Sequence, residues 1–143
     1  MDKVTKDQTV VIRSHGVGLD VYEKLAKVGA EVIDATCPFV ARIHKIAAEK
    51  SGEGYVILIA GDEAHPEIMG IRGHCSGESY VFSSCDDFEN LVKEKDFSSK
   101  KVAILAQTTY NKNMWRKCEE LFERYLPEAV VYLSLIHISE PTR

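Results

Sequence analysis

The sequence has no long apolar run, so we expect no helix that spans a membrane. Its four cysteines show no CxxC spacing, and its first residues are charged and contain no apolar stretch typical of a secretory signal. We therefore expect a cytoplasmic protein with reduced thiols rather than a disulfide framework. There is no basic cluster interleaved with aromatic residues, and the net charge is -4, so we expect no binding of nucleic acid.

What the sequence does contain is ordinary for a soluble globular protein. It has 143 residues, of which 45% are hydrophobic and 28% are charged, enough for one domain with a core or for one domain plus part of another. A unit of strand, polar turn and helix recurs along the chain. That recurrence is typical of a parallel α/β layer, which is the fold class that we predict.

Six apolar runs predict strands, and polar turns followed by helical periodicity separate them. We expect the runs at residues 55–60, 80–83, 102–106 and 130–133 to form one parallel sheet with flanking helices. The short runs at 10–12 and 30–33, the second of which we expect to be buried, would belong to an incomplete preceding lobe. The domain prediction is accordingly the end of a first lobe at 1–37, a second lobe at 38–133, and a non-native tail at 134–143 that is typical of read-through into a sequencing adapter.

One cysteine lies at the junction between a strand and a helix. The stretch Asp34-Ala-Thr-Cys-Pro-Phe-Val40 ends an apolar run, and Pro38 is a favoured first helical residue. Cys37 is therefore expected at a helix N-terminus, where unpaired N–H groups and the helix dipole favour a thiolate, which suits a metal ligand or a nucleophile. A small buried hydrophobe is the alternative for this residue taken alone.

A first histidine is expected where a strand hands over to a helix. His15 lies in the turn Arg13-Ser-His-Gly-Val-Gly18, between the strand at 10–12 and a helix predicted at 19–28. In an open α/β sheet ligands collect at the carboxyl ends of strands, so a histidine there can contact a phosphate. A turn histidine bonded to its local backbone is the alternative.

Two further turns carry polar side chains after buried strands. Gly61-Asp-Glu-Ala-His65-Pro66-Glu67 places an imidazole two residues before a carboxylate, and Pro66 starts a short helix predicted at 67–71. The histidine could hold a diphosphate oxygen while the carboxyl group moves protons, although Glu67 could also simply complement the helix dipole. Gln107-Thr108-Thr109 follows the strand at 102–106 in the same way. A cap at 85–87 and a last helix at 111–125, with Cys118 in the core, complete the prediction.

Four of these turns, taken together, resemble one family. In their order and spacing, Ser14-His15-Gly16-Val17, Asp34-Ala35-Thr36-Cys37-Pro38, His65-Pro66-Glu67 and Gln107-Thr108-Thr109 are similar to 4-hydroxy-3-methylbut-2-enyl diphosphate reductase, the IspH or LytB family. The resemblance covers residues 10–132. It implies a three-lobed α/β reductase built around a [4Fe–4S] cluster that three cysteines hold, one from each lobe.

The resemblance also implies roles for individual residues. Cys37 would be the second of the three cluster ligands, and His15 and His65 would bind the diphosphate. Glu67 would supply the proton for departure of the hydroxyl group, with Thr108 as its hydrogen-bonding partner and a further contact to the substrate. The implied reaction is a two-electron reductive dehydroxylation that yields isopentenyl and dimethylallyl diphosphate in the non-mevalonate pathway, with a ferredoxin or flavodoxin type electron donor.

The departures from the family pattern indicate a fragment. The first and third cysteines, a further diphosphate histidine and a Ser-x-Asn phosphate site have no counterpart here, and Cys75, Cys85 and Cys118 do not fall on ligand positions. We therefore expect an internal piece of the reductase that is inactive on its own. Two alternatives from other classes remain open at this point: a hydrolase or acyl transferase with Cys37 as nucleophile, and a phosphate-binding α/β module without catalysis.

Overall fold

The structure, a computed structural model, describes residues 4–132. Within that range helices and strands alternate, as predicted, in an α/β fold. In chain order the elements are β1 (Thr9–Ile12), α1 (Leu19–Val28), β2 (Glu31–Asp34), α2 (Pro38–Gly52), β3 (Val56–Ala60), α3 (Pro66–Arg72), β4 (Ser79–Phe82), α4 (Cys85–Glu94), β5 (Val102–Ala106), α5 (Lys112–Tyr125) and β6 (Val130–Val131).

The strands form two separate parallel sheets. β1 pairs with β2, and the other four strands lie in the order β4-β3-β5-β6 with β3 and β5 at the centre. This grouping of strands is the predicted one, although Leu133 and the tail at 134–143 lie outside the described residues. The domain boundary between residues 37 and 38 stays a prediction. No helix within residues 4–132 is long and apolar enough to cross a membrane.

The four-stranded sheet has an apolar cluster on each face. β3 and β5 are buried along their whole length, and successive side chains of a strand point to opposite faces, so the same strands supply both clusters. One cluster packs the sheet against α4 and α5, and its buried aromatic members are Phe82, Phe88, Phe97, Trp115 and Phe122. The other packs the sheet against α2 and α3 through Ile43, Ala47, Ile68 and Ile71. Cys118 is fully buried in the first cluster, as predicted.

Helix starts follow their local sequence. Pro38 opens α2 directly after Cys37, and the side chain of Asn111 caps α5 by accepting a hydrogen bond from the Met114 N–H at 3.0 Å. The cap expected at 85–87 is wrong by one residue. Ser84 caps α4 through its hydroxyl oxygen, and Cys85 is already helical.

The expectation that the strand at 30–33 is buried is also wrong. Every residue of β2 is exposed, and Val32 and Ile33 rank among the exposed large hydrophobic side chains. The physical reason is that β2 has only β1 as a neighbour in a two-stranded sheet, whereas β3 and β5 each have a strand on both sides. Val32 and Ile33 are nevertheless residue types that suit a buried strand.

Candidate functional site

Two of the predicted site residues meet through direct hydrogen bonds. The backbone N–H of Thr108 donates to Oε1 of Glu67 at 2.7 Å, and its hydroxyl donates to Oε2 at 2.9 Å. The register of the sheet explains the meeting, because Ala60 at the end of β3 pairs with Ala106 at the end of β5 and both polar turns begin there. Glu67 is only 4% exposed, so a buried carboxylate is held by two donors from one residue.

His65 belongs to the same cluster. It is the N-cap of α3, and its Nδ1 accepts a hydrogen bond from the Glu67 N–H at 3.1 Å. An Nδ1 that accepts carries no proton, so the neutral ring bears its proton on Nε2. The half-buried imidazole can thus present an N–H donor to an anion while its other nitrogen fixes the turn that places Glu67.

Sequence reasoning missed a residue that fastens this cluster. Gln107 is buried, and its side-chain oxygen accepts a hydrogen bond from the Asp62 N–H at 3.0 Å while its Nε2 donates to the Thr109 hydroxyl at 3.2 Å. It therefore ties the turn after β3 to the turn after β5. The signal was its place beside the fully buried β5, where a polar side chain needs partners.

The other two predicted residues lie at the ends of the two-stranded sheet. Ile12 pairs with Asp34 at the ends of β1 and β2, and beyond them the Cys37 N–H donates to the Ser14 carbonyl at 2.9 Å. Cys37 is the N-cap of α2, as predicted, and it is half-buried, as is His15 in the adjoining loop. The backbone thus holds the Cys37 turn beside the turn that carries His15.

A buried pair of histidines, which the sequence analysis did not single out, lies under the His15 loop. His44 of α2 stacks on His74 with ring centroids 4.0 Å apart, and Nε2 of His74 lies 2.8 Å from the Val17 carbonyl oxygen. Burial, together with the neighbouring His74 ring, lowers the pKa of His44 to about 4, so His44 is neutral at physiological pH. The signal was that position 44 falls on the apolar stripe of α2 with Val40, Ile43 and Ala47.

The structure thus places the five predicted residues in two groups. Glu67, His65 and Thr108 are joined by hydrogen bonds, and Cys37 lies beside the His15 loop. Within residues 4–132 no hydrogen bond runs from His15 or Cys37 to the Glu67 group, so a shared cleft stays a prediction. The two groups are nevertheless neighbours, because a Cβ built on Gly70 of α3 would lie 3.5 Å from the Gly16 carbonyl.

The remaining cysteines are not arranged around Cys37. Cys85 and Cys118 face each other in the core between α4 and α5 with sulfur atoms 2.8 Å apart, and the Cys75 thiol lies against the Ile71 carbonyl. In the part of the chain that the structure describes, no group of three or more His, Cys, Asp or Glu side chains is placed to hold a metal ion. A cluster with three cysteine ligands therefore does not fit these residues alone.

Comparisons with known proteins agree with the motifs. A family model described as LytB protein matches residues 1–138. A protein of Thermoanaerobacter sp. (strain X514) called 4-hydroxy-3-methylbut-2-enyl diphosphate reductase is 36% identical over 132 residues, which are 92% of this chain and 44% of that protein.

Two solved structures are also similar. A structure described as (E)-4-hydroxy-3-methyl-but-2-enyl diphosphate reductase, the terminal enzyme of the non-mevalonate pathway, superposes with a TM-score of 0.78 at 32% identity and covers 92% of this chain and 46% of that one. A reductase from Plasmodium falciparum, at 24% identity and a TM-score of 0.81, shares the fold over 93% of this chain and 41% of its own. The chain thus spans less than half the length of these relatives.

Proposed function

The chain belongs to the LytB protein family, and from that membership we propose that it is a segment of a reductase of the non-mevalonate pathway. The complete enzyme would convert 4-hydroxy-3-methylbut-2-enyl diphosphate to isopentenyl and dimethylallyl diphosphate. The reaction consumes two electrons and two protons, breaks the bond between carbon and the hydroxyl oxygen, and releases water. A cytoplasmic ferredoxin or flavodoxin type protein would supply the electrons.

The observation that carries the proposal is the Glu67 carboxyl group held by Thr108. Departure of a hydroxyl group as water needs a proton at that oxygen, and the Glu67 carboxylate can deliver it after taking up one of the two protons that the reaction consumes. Thr108 fixes both carboxyl oxygens through its N–H and its hydroxyl. The hydroxyl of Thr108 can also rotate to meet the substrate oxygen, since a hydroxyl group both donates and accepts.

Binding of the diphosphate is assigned to His15 and His65. The Nε2–H that the neutral ring of His65 retains is a donor for a phosphate oxygen, because its Nδ1 is already occupied by the Glu67 N–H. His15 lies on the neighbouring loop, at the carboxyl end of β1, where ligands collect in parallel sheets. Two half-buried imidazoles on adjoining turns suit a ligand that carries two phosphate groups.

Cys37 is the residue of this chain that would hold the iron–sulfur cluster. When bound by three thiolates, a [4Fe–4S] cluster supplies electrons and one open iron that acts as a Lewis acid. The other two thiolates would come from outside the residues described here. We therefore propose that the 143-residue chain by itself neither holds the cluster nor turns over substrate.

The test compares the chain with a longer protein whose flanking segments are read from genomic DNA. Both are reconstituted anaerobically with iron and sulfide, and their absorbance and reductase activity with a chemical electron donor are measured. The chain alone should stay colourless and inactive, whereas the longer protein should turn brown and active. A stable cluster and turnover in the 143-residue chain would refute the proposal that it is an incomplete segment.

A substitution in the longer protein tests the proton donor. Glu67→Gln preserves shape but removes the transferable proton, so turnover should fall by about 100-fold or more while the cluster absorbance and the affinity for inorganic diphosphate are retained. Glu63→Gln is the matched control, because Glu63 is an exposed carboxylate paired with Arg72 in the same turn and helix. Equal turnover in the two variants would remove Glu67 from the reaction.

A further inference from the structure

The loop that carries His15 is held against α3 and its C-terminal end by a small set of contacts. We call this set the loop–helix joint. Its residues are Gly16, Val17, Gly18 and Leu19 of the loop, together with His44, Gly70, Gly73 and His74. We propose that His74, with His44 stacked on it, is a positioning residue that fixes the His15 loop relative to α3, whose first turn carries His65 and Glu67. The contacts that fix the loop do not depend on what the protein binds, and only their effect on diphosphate binding rests on the proposed function.

The first contact is a directional hydrogen bond. His74 Nε2 lies 2.8 Å from the Val17 carbonyl oxygen, two residues after His15. Because a carbonyl can only accept, this nitrogen must carry the proton and donate it. His74 lies two residues after the end of α3 and is buried, so its side of this partly buried bond is shielded from water.

The second contact is the stacked ring of His44. This ring is 5% exposed, and its Nε2 has no hydrogen-bond partner among residues 4–132. A buried nitrogen without a partner is unfavourable, so the ring stays there at the expense of stability. It stacks on His74, and its edge lies against Gly16, where an added Cβ would collide with its Cε1. The ring therefore acts as the surface on which the loop rests.

The third contact is a close approach of two backbones. A Cβ built on Gly73 would lie 2.6 Å from the Gly18 Cα, and the Leu19 N–H donates to the Gly73 carbonyl at 3.2 Å. Gly18 is the N-cap of α1 and has no side chain to cap it, so the Gly73 carbonyl satisfies an N–H that the helix leaves unpaired. Within residues 4–132 two hydrogen bonds join this loop to α3 and its end, one from the His74 ring to the Val17 carbonyl and one from the Leu19 N–H to the Gly73 carbonyl.

His74 influences the site from a distance, because it lies beyond the C-terminal end of α3 and the site residues lie at the other end. It lies at the opposite end of α3 from His65, yet it sets where the His15 loop sits against that helix. Loss of the hydrogen bond would leave the His15 and His65 side chains intact and change only the position of one relative to the other. His74 is thus a positioning residue and not a catalytic one.

Amide hydrogen exchange tests the joint without any ligand. In the 143-residue chain, His74→Leu removes the donor while keeping bulk. The Leu19 N–H should then exchange about tenfold faster relative to the Ile59 N–H in the central strand, because the hydrogen bond that holds the loop is lost. His74→Gln restores a donor and should return Leu19 to within about threefold of the wild type. Unchanged Leu19 exchange in His74→Leu, or no recovery in His74→Gln, would overturn the proposal.

A second pair of variants keeps the test decisive if His74→Leu does not fold. His44→Ala removes the stacked ring and should accelerate Leu19 exchange about tenfold, whereas His44→Phe keeps a ring and should stay within about threefold of the wild type. Equal acceleration in both would show that the ring surface does not hold the joint. Cys118→Ala, in the cluster on the other face of the sheet, is the control for general loss of stability, and Leu19 should then change no more than Ile59.

The consequence for the site is measured by titration of the same chains with inorganic diphosphate in a calorimeter. His74→Leu should weaken binding about tenfold, His74→Gln should recover it, and Cys118→Ala should leave it within about twofold of the wild type although it lowers the melting temperature. Binding that is unchanged in His74→Leu would overturn the positioning of the site. If the wild-type chain binds no diphosphate while Leu19 exchange responds as expected, the assignment of the diphosphate residues fails and the joint stands.

Discussion

Thr108 donates two hydrogen bonds to the carboxylate of Glu67, one from its backbone and one from its side chain, across 41 residues of sequence. The side-chain bond can be removed without the backbone bond. That separation makes the pair a direct means of measuring how much of the site's order comes from one hydroxyl group.

Thr108→Val should destabilise the chain by about 1–2 kcal/mol, because it leaves one oxygen of a buried carboxylate without its donor while shape is preserved. Thr108→Ser keeps the hydroxyl and should lose less than half as much. Urea unfolding followed by tryptophan fluorescence measures both. A valine variant as stable as the wild type would show that the hydroxyl bond adds nothing to the fold.

Gln107→Leu should lower the free energy of unfolding by about 2–3 kcal/mol, because the Asp62 N–H and the Thr109 hydroxyl both lose their buried partner. Thr109→Val removes only one of these bonds, on a more exposed residue, and is the milder control. The measurement is the midpoint of urea unfolding at constant slope. Equal midpoints for the two variants would mean that the bond to Asp62 does not fasten the turns.

Acid should destabilise the chain through His44. Its pKa is lowered from 6.5 to about 4 in the folded state by burial and by the His74 ring, so the unfolded chain takes up the proton first as the pH falls. The stabilisation is fully present above pH 6.5 and is lost between pH 6.5 and about 4, by roughly 3 kcal/mol in total.

The matching control is His44→Phe, which cannot titrate. Unfolding free energies at several pH values between 7 and 4 should fall more steeply for the wild type than for this variant. Parallel curves would show that another group, and not His44, governs the acid response.

Alkylation by iodoacetamide at neutral pH should distinguish the cysteines. Burial raises the pKa of Cys75 to about 11 and that of Cys118 to about 12, so less than about one molecule in a thousand carries either thiolate. Half-buried Cys37, at the N-cap of α2, should react at least about tenfold faster. Peptide mass spectrometry over time gives the rates, and labelling of Cys118 as fast as Cys37 would contradict the burial that the fold assigns to it.

The boundary predicted between the lobes is tested by removing residues 1–37. Both apolar clusters of the four-stranded sheet draw only on residues from Ile43 onward, so the piece 38–132 should fold cooperatively on its own. The thermal transition followed by near-ultraviolet circular dichroism is the measurement, with the uncut chain beside it. A broad transition without tertiary signal would place the boundary elsewhere, since Leu25 and Val40 are also buried.

The sequence predicted the elements well where burial is strong. β3 and β5 are apolar throughout and lie at the centre of the sheet, and Pro38 marked the start of α2 directly. The prediction for β2 was wrong because apolar residues indicate which positions suit a buried environment, not whether neighbouring elements bury them. The Ser84 cap was missed by one position because several residues in a row could serve as caps.

The contact between two of the predicted site residues could be predicted from the sequence, whereas the residues that support them could not. Strand-end turns with His65, Glu67 and Thr108 follow from the parallel topology, and the sheet register brings the last two together. His44 and His74 act through a stacked contact between residues 30 positions apart, and no local pattern encodes that distance. Only the unusual presence of a histidine on the apolar stripe of α2 pointed to it.

A tilt of helix α3 about its C-terminal end, taken as the pivot, would move its first turn. The C-terminal end lies at Gly73, close against Gly18, and the opposite end carries His65 and Glu67, which Thr108 holds. Seven residues of helix make an arm of about 10 Å, so a tilt of about 10° at the pivot would carry the far end by nearly 2 Å. Misplacement of a reacting group by about 1 Å can cost a hundredfold in rate. A methyl group added at Gly18 or Gly73 would therefore displace the first turn of α3 more than the end of the helix that it contacts.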